Sequence, residues 1–310
     1  MAAKQIALLG LPIFYITALC PACPAASPIP VMLLDGESAG TYHAWKSVTP
    51  VLKRELEETG LFQVDVVTAP SSGDASALGT FQPDFNKYRA IVFNYDAPDW
   101  PAALKDSFER YMKNGGGLVI VHAADNAFPA WKQYNEMIGL GGWRNRTETA
   151  GPYWFYRDGK LISDASPGPA GSHGARLPFQ VTTRDPENPI MKGLPKVWMH
   201  QGDELYATLR GPGENMTVLA TAHSEPANKG TGRDEPILIT LTYGKGRIFH
   251  TTMGHDISAL SCVGFIATLQ RGTEWAATGK VTQKVPDGFP TATTVSYRPE
   301  IAAMNTPAAK

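Results

Sequence analysis

Histidines and carboxylic acids follow the carboxyl ends of four predicted strands, which is where open α/β sheets bind their ligands. The first strand ends in Asp35-Gly36-Glu37, the third in Tyr95-Asp96, the fourth in His122-Ala123-Ala124-Asp125 and the last in Gly254-His255-Asp256, and His43 and Trp45 lie where the first helix begins. Imidazole and carboxyl groups can transfer protons near physiological pH. We therefore expect these side chains to meet in one cleft above the sheet and to perform acid/base chemistry there.

A second group of polar residues lies in segment 199–206, with the sequence MHQGDELY. If this segment is extended, its period of two places His200, Glu204 and Tyr206 on one face. That face offers a base, an acid and a hydrogen-bonding ring, which suits a sugar-like ligand. The other interpretation, which the residues leave equally open, is a hairpin in which Glu204 caps a neighbouring loop.

The histidines also raise the question of metal binding. The sequence has no HExxH motif and no His-x-His pair, so a metal site would have to be assembled across loops. We expect no cofactor, and we keep a divalent metal held by His122, Asp125, His200 and His255 as an alternative. Of the remaining histidines, His250 and His223 are predicted to be packed or on the surface, and His173 lies on a loop that can close over a ligand.

The first 26 residues predict a secretory signal peptide. Lys4 precedes an apolar run over 6–16, and small residues follow at 22–26. The run is short for a membrane span and contains Pro12, so cleavage is favoured over a membrane anchor. The prediction is a secreted or periplasmic protein with no stable membrane insertion after cleavage.

Removal of residues 1–26 leaves Cys262 as the only cysteine. One cysteine excludes an intrachain disulfide and a thiolate metal cluster. Its apolar neighbours at 260–269 predict that the Cys262 thiol is buried in the core rather than acting as a nucleophile.

Composition and periodicity predict one ordered α/β domain. The chain has 28 Lys+Arg against 29 Asp+Glu and is 43% hydrophobic, and its net charge of −1 argues against a nucleic-acid partner. Residues 27–280 are assigned to the domain, with an antiparallel excursion within 139–193, and residues 281–310, rich in Pro, Thr and Ala, to a low-complexity tail without a core. Predicted strands span 29–34, 62–67, 90–95, 117–121, 179–183, 216–221, 236–242 and 247–252, and predicted helices span 45–58, 101–113, 130–138 and 258–277.

Several motifs, in the correct order over roughly residues 29–278, resemble the ThuA-like (trehalose utilisation) family. They are NGGGLVIVHAAD at 114–125, NPIMKG at 188–193, DELY at 203–206, DEP at 234–236, YGKGRIFHTTMGHD at 243–256 and GTEWA at 272–276. The resemblance implies the class I glutamine amidotransferase-like, flavodoxin-like fold. That fold is a three-layer α/β sandwich with a mostly parallel central sheet, here with an inserted antiparallel excursion.

The same resemblance sets an expectation for function. Glutaminases of this superfamily carry a cysteine at the elbow after the fourth strand, where this chain has His122, so no glutamine amidotransferase activity is expected. The family is associated with carbohydrate utilisation, including oxidised (3-keto) glycosides. We therefore predict a secreted carbohydrate-processing enzyme that hydrolyses or eliminates at a glycosidic bond of a (keto-)glycoside.

In this hypothesis a carbonyl near the anomeric centre makes a ring proton removable by a modest base. His122 or His255 is the predicted base, and Glu204 or Asp125 the acid or the orienting carboxylate. The predicted substrate-binding residues are His43, Trp45, Tyr206, His200, Asp256 and Tyr95. The alternatives are a non-catalytic sugar-binding module and a metal-dependent hydrolase, and the sequence leaves homo-oligomer formation open.

Overall fold

The computed structural model describes residue 1 and residues 27–38 and 42–305 of the chain. The predicted signal peptide, apart from Met1, therefore lies outside the described residues. Among the helices that the structure does describe, none has both the length and the apolar composition needed to cross a bilayer.

Five parallel strands form the centre of the sheet: β1 (Ile29–Asp35), β2 (Phe62–Thr68), β3 (Ala90–Phe93), β4 (Gly117–Val121) and β11 (Gly246–Thr251). Their spatial order is β2-β1-β3-β4-β11. The inner strands β3 and β4 are buried along their whole length, which explains their uninterrupted apolar sequences. The predicted mixed α/β fold with a parallel central sheet is confirmed.

Further strands extend this sheet by antiparallel pairing. They are β5 (Tyr153–Arg157), β6 (Lys160–Asp164), β7 (Leu177–Thr183), β8 (Val197–Asp203), β9 (Thr217–His223) and β10 (Asp234–Tyr243). The order beyond β11 is β10-β9-β7-β8, and the β5–β6 hairpin joins the sheet at β10. Strands β5, β6 and β8 were not among the predicted elements.

Helices cover both faces of the sheet, because successive side chains of a strand point to opposite sides. Along β1, Val31 and Leu33 belong to one buried core and Met32 and Leu34 to the other. The first core packs against α1 (Trp45–Glu57) and α6 (Val263–Thr278), and the second against α3 (Ala102–Lys113) and α4 (Lys132–Ile138). A further short helix, α2 (Ala75–Thr80), begins at the N-cap residue Asp74.

The predicted single helix over 258–277 is two helices, α5 (Ile257–Leu260) and α6. The chain is extended at Cys262, which has a ψ of 125° and pairs with Tyr297 in an isolated bridge. The interruption therefore comes from a contact with the C-terminal segment, which local periodicity does not encode. The Cys262 thiol is buried and free, as expected.

Residues 281–305 do not form the coreless tail that their composition suggested. Val285 and Phe289 pack against the first core, Val295 bridges to Met199, and α7 (Pro299–Ala302) carries the fully buried Ile301. The prediction failed because these apolar residues are isolated along the sequence, whereas their contacts are with the distant helices and strands.

We expect Ile301→Ala to lower the free energy of unfolding by about 2–5 kcal/mol, the usual cost of truncating a buried aliphatic side chain. Urea denaturation followed by circular dichroism measures this change. The control is Met304→Ala, which removes a side chain that is 38% exposed and should shift stability by about 0.5 kcal/mol or less. A negligible effect of both variants would contradict the packing described for this segment.

Glu235 is a buried carboxyl group near the start of β10. Thr231 Oγ1 donates a hydrogen bond of 2.7 Å to Glu235 Oε1. Burial raises the pKa of Glu235 to about 7, against the opposing effects of the Thr231 hydrogen bond and the charge of Arg233. A carboxyl group with a raised pKa in the folded state favours folding while it is protonated, and folding loses that contribution as the pH rises through the folded-state pKa.

Glu235→Gln should therefore flatten the loss of stability between pH 4.5 and pH 8. The amide mimics the neutral carboxyl and can still accept from Thr231, so the variant should gain on the order of 3 kcal/mol over the wild type at the upper end of this range. Unfolding free energies measured across this pH range test the difference, with the exposed Glu214→Gln as control. Parallel stability curves for the wild type and Glu235→Gln would contradict the assignment.

Candidate functional site

A cavity of about 790 Å³ opens at the carboxyl ends of the parallel strands. Glu37 follows β1, Asp96 follows β3 and Asn126 follows β4, so the cavity lies where open α/β sheets bind ligands. Its described lining consists of Glu37, Ser38, Tyr42, His43, Asp96, Pro98, Asn126, Trp143, Arg144, His173, Glu204 and Tyr206.

Three imidazoles surround one carboxylate beside this cavity: His43, His122 and His255 around Glu204. The centroids of the three rings lie 5.0, 5.1 and 5.3 Å apart. Glu204 Oε2 lies 3.1 Å from His255 Nδ1 and 3.7 Å from His122 Nε2. One nitrogen or oxygen atom from each of the four residues lies within 4.8 Å of the others. The structure thus brings together residues that are up to 212 positions apart in the sequence.

His122 occupies the turn directly after β4. Its backbone is left-handed, with φ of 47°, a conformation that costs roughly 1 kcal/mol or more for a residue with a side chain. His122 Nδ1 lies 2.6 Å from the carbonyl oxygen of Thr252. Because a carbonyl can only accept, Nδ1 carries the proton and Nε2 is the atom that faces Glu204.

Asp203, the last residue of β8, fixes two members of this cluster. Its Oδ1 accepts from the backbone N–H groups of Glu204 and His255 at 2.8 and 3.2 Å. Its Oδ2 accepts from the backbone N–H of Gly254 at 2.7 Å and from His200 Nε2 at 2.9 Å. One buried carboxylate therefore ties the residue after β8 to the loop that carries His255.

The predicted face containing His200, Glu204 and Tyr206 does not exist. His200 is fully buried beneath the site as the partner of Asp203, and β8 ends before Glu204 because Asp203 turns the chain. Burial opposes the charged form of His200, but Cys262 and the hydrogen bond to Asp203 outweigh it and raise the pKa of His200 to about 9.

Tyr206 and His43 form the wall of the cluster nearest the cavity. The Tyr206 hydroxyl lies 3.3 Å from His43 Nε2, and its ring centroid lies 4.1 Å from that of His122 and 4.5 Å from that of Trp143. Burial, followed by the neighbouring His122 and His255, lowers the pKa of His43 to about 3, so this ring is neutral.

Glu204 is ionised within the cluster. Burial acts to raise its pKa, but the imidazoles of His122 and His255 have the larger combined effect and hold the pKa well below its usual range. The carboxylate acts in turn on His122: burial opposes the imidazolium, and Glu204 and Asp203 raise the pKa of His122 above its usual value. The cluster therefore combines a permanent negative charge with a neutral ring.

Two of the predicted site residues lie in the interior. Asp125 is fully buried, and its Oδ2 lies 3.5 Å from Nε2 of His250, which is buried as expected. Tyr95 is also buried, and its hydroxyl accepts a hydrogen bond of 3.2 Å from Trp100 Nε1. These contacts turn both side chains away from the cavity, so we correct the expectation that they line it.

Two further predicted residues lie outside the cavity lining. Asp256 caps α5 by accepting from the backbone of Ala259, and it forms an ion pair of 2.8 Å with Arg176. Trp45 is the first residue of α1, and its ring lies under the ammonium group of Lys46. The Asp256 side chain therefore serves a helix end and the Trp45 ring contacts Lys46, so we correct the expectation that they line the cavity.

The sequence reasoning missed Trp143 and Arg144, which line the cavity. Both have left-handed backbones, with φ of 48° and 46°, and Arg144 Nε donates to Asp96 Oδ1 at 2.7 Å. The available signal was Gly141-Gly142 before an aromatic and a basic residue, because a glycine pair allows such a loop to approach a site closely.

Ser38 is a third residue that was missed. It is the centre of Gly36-Glu37-Ser38-Ala39-Gly40, which matches the G-x-S-x-G motif of serine hydrolases, and it lines the cavity. The motif requires a tight strand-to-helix turn, whereas α1 begins only at Trp45. Among the described hydrogen bonds none joins Ser38 to an imidazole.

Comparison with known proteins gives a consistent result. The family model described as "Trehalose utilisation" matches residues 31–276. A crystal structure of a protein called ThuA-like, from Parabacteroides merdae ATCC 43184, is 46% identical with a TM-score of 0.84, covering 89% of this chain and 99% of that one. One from Bacteroides uniformis ATCC 8492 is 20% identical with a TM-score of 0.55, covering 85% and 97%, and supports the fold alone. No curated protein matches the chain.

We expect Asp203→Asn to destabilise the protein, because the amide offers one oxygen where four donors now share two. Its NH₂ group would face N–H donors, so the free energy of unfolding should fall by about 1–3 kcal/mol or more. Urea denaturation measures the change, with the exposed Asp287→Asn as control. An unchanged stability would mean that Asp203 does not hold the two loops together.

Proposed function

The chain belongs to the ThuA (trehalose utilisation) family, and we propose that it is an enzyme that cleaves a glycosidic bond of a (keto-)glycoside by hydrolysis or elimination. The observation that carries this proposal is the position of the Glu204 carboxyl group, 3.1 Å from His255 and 3.7 Å from His122, beside an open cavity. In acid/base sites, an ionisable side chain usually lies next to a cavity and is held in place by a second ionisable side chain.

The cavity suits a carbohydrate in size and in lining. Its volume of about 790 Å³ falls within the range of about 300–1,000 Å³ that is typical of small-molecule sites. Trp143, Tyr206 and Tyr42 offer aromatic faces to the C–H groups of a sugar ring. The hydroxyl groups of the sugar can bond to the carboxylates, the amide and the guanidinium of Glu37, Asp96, Asn126 and Arg144.

The cluster offers what elimination next to a carbonyl requires. A base removes a ring proton beside the keto group, and negative charge develops on the carbonyl oxygen, which needs a positive partner. The glycosidic C–O bond then breaks, and the leaving oxygen takes a proton from an acid of the site. The catalytic set in this proposal is His122, His255 and Glu204. From the sequence, either Glu204 or Asp125 could be the acid or the orienting carboxylate. We assign this role to Glu204, because Asp125 lies in the interior next to His250.

We also propose that the protein is not a glutaminase and that its fold belongs to a specific α/β class. We assign the layering to the flavodoxin-like, class I glutamine amidotransferase-like class with an antiparallel insertion, supported by the strand order β2-β1-β3-β4-β11. His122 stands at the elbow where those enzymes need a cysteine, and the free Cys262 is buried. We further propose that the protein is exported, on the basis of the signal sequence predicted for residues 1–26.

Turnover of disaccharides and of their 3-keto derivatives tests the proposal. We expect Glu204→Gln and His255→Gln to lower kcat/KM about 100-fold or more, the usual contribution of a positioned acid or base. The control is His223→Gln, since His223 is half-exposed and forms an ion pair with Asp234 outside the cavity lining. Release of monosaccharide, measured by chromatography, is the readout.

If Glu204→Gln and His255→Gln both turn over substrate at the wild-type rate, these residues are not catalytic and the assignment of the site is wrong. Tight binding of a glycoside by the wild-type protein without turnover would instead identify a sugar-binding module, and it would refute the enzymatic proposal.

A further inference from the structure

We propose that His43, His122, Glu204 and His255 together bind one divalent transition-metal ion, for which zinc is the best match. A catalytic role for this ion rests on the proposed function. The choice of the four ligands rests only on the positions of their side chains. Three imidazoles and one carboxylate are the borderline donors that zinc takes in proteins, whereas magnesium and calcium prefer all-oxygen sites.

The spacing of the four side chains fits one ion. Nitrogen ligands about 2.1 Å from a tetrahedral ion lie about 3.4 Å from one another and place their ring centroids about 5 Å apart. The three centroids here are 5.0, 5.1 and 5.3 Å apart, and the four ligand atoms lie within 4.8 Å of one another. Small side-chain rotations are therefore sufficient to bring the ligands to bonding distance.

Three buried nitrogens in this cluster have no hydrogen-bond partner among the described residues. They are Nε2 of His122, Nδ1 of His43 and Nδ1 of His255. His122 is only 2% exposed, and its Nε2 faces the carboxylate of Glu204 at 3.7 Å, beyond hydrogen-bond distance. Leaving a buried polar atom unpaired costs about 1–3 kcal/mol, and a shared metal ion would satisfy nitrogens of all three rings.

The outer contacts of the cluster are those that metal-ligating side chains usually have. A ligating histidine donates its other N–H to a carbonyl or carboxylate, which fixes its tautomer. His122 does so to the carbonyl of Thr252, and His43 Nε2 contacts the Tyr206 hydroxyl. The backbones of Glu204 and His255 are fixed by Asp203.

The ligand set differs from the one considered from sequence, which included Asp125 and His200. Those two residues pair with His250 and Asp203 in the interior, and His43 and Glu204 take their places. An ion held here supplies positive charge to a carbonyl or hydroxyl oxygen of the sugar. His173, which lines the cavity with Nε2 3.7 Å from Glu204 Oε2 and lies outside the ligand set, is then available to move a proton.

Metal content and metal affinity test the site without reference to activity. The whole protein is purified without chelators and analysed by plasma mass spectrometry, then stripped with EDTA and titrated with Zn²⁺ by calorimetry. We expect one ion per chain. Co²⁺ in place of Zn²⁺ should give the visible absorption of a tetrahedral nitrogen–oxygen site.

His43→Gln and His255→Gln should each weaken Zn²⁺ binding by more than the roughly 10–100-fold that loss of an outer partner causes. His223→Gln should bind as the wild type does. Circular dichroism verifies that each variant folds. If one ligand variant does not fold, the affinity of the other ligand variant and the Co²⁺ spectrum of the wild type test the metal site.

The absence of stoichiometric binding, or unchanged affinity in both ligand variants, would overturn the metal site. The result is separable from the proposed function. Turnover by a protein that shows no stoichiometric Zn²⁺ binding would remove the site and leave the enzyme, whereas a bound ion without turnover of any glycoside would leave the site and remove the proposed function.

Discussion

The buried carboxylate of Asp203 is the constraint on which the site depends. Transferring a carboxylate from water into a protein interior is unfavourable unless hydrogen bonds satisfy it. Asp203 meets this condition with four donors, from His200, Glu204, Gly254 and His255. Although burial alone would raise the pKa of Asp203, these partners lower it, and the group remains charged. Two loops that are about fifty residues apart in sequence are thereby held at a fixed distance.

The second constraint is the turn after β4. A parallel strand that ends in a left-handed residue directs that side chain upward from the sheet, and here the residue is His122. A cysteine in this position forms covalent intermediates, whereas an imidazole can move a proton or bind an ion. We therefore propose that this backbone geometry supports a different class of chemistry here, since a shared fold does not by itself carry over a reaction.

Most of the fold could be predicted from local sequence. The central strands are uninterrupted apolar runs of the length a buried parallel strand needs, and their predicted bounds agree with β1, β3 and β4 within two residues. The extended residue at Cys262 and the packing of Ile301 could not be predicted in the same way. Both depend on contacts with segments that are remote in the sequence, and their own neighbours carry no periodic signal.

Sequence patterns alone were sufficient to identify the family, the parallel centre of the sheet and the candidate imidazoles and carboxylates at the strand ends. Which of these groups lie together became known only from the folded arrangement of the chain. His43, His122, Glu204 and His255 meet beside the cavity, while His200 and Asp125 lie in the interior, next to Asp203 and His250. A histidine or an aspartate looks the same in the sequence in either role. Its direction is set by the charge or donor that it meets across the fold, and that partner is chosen by chain topology rather than by spacing.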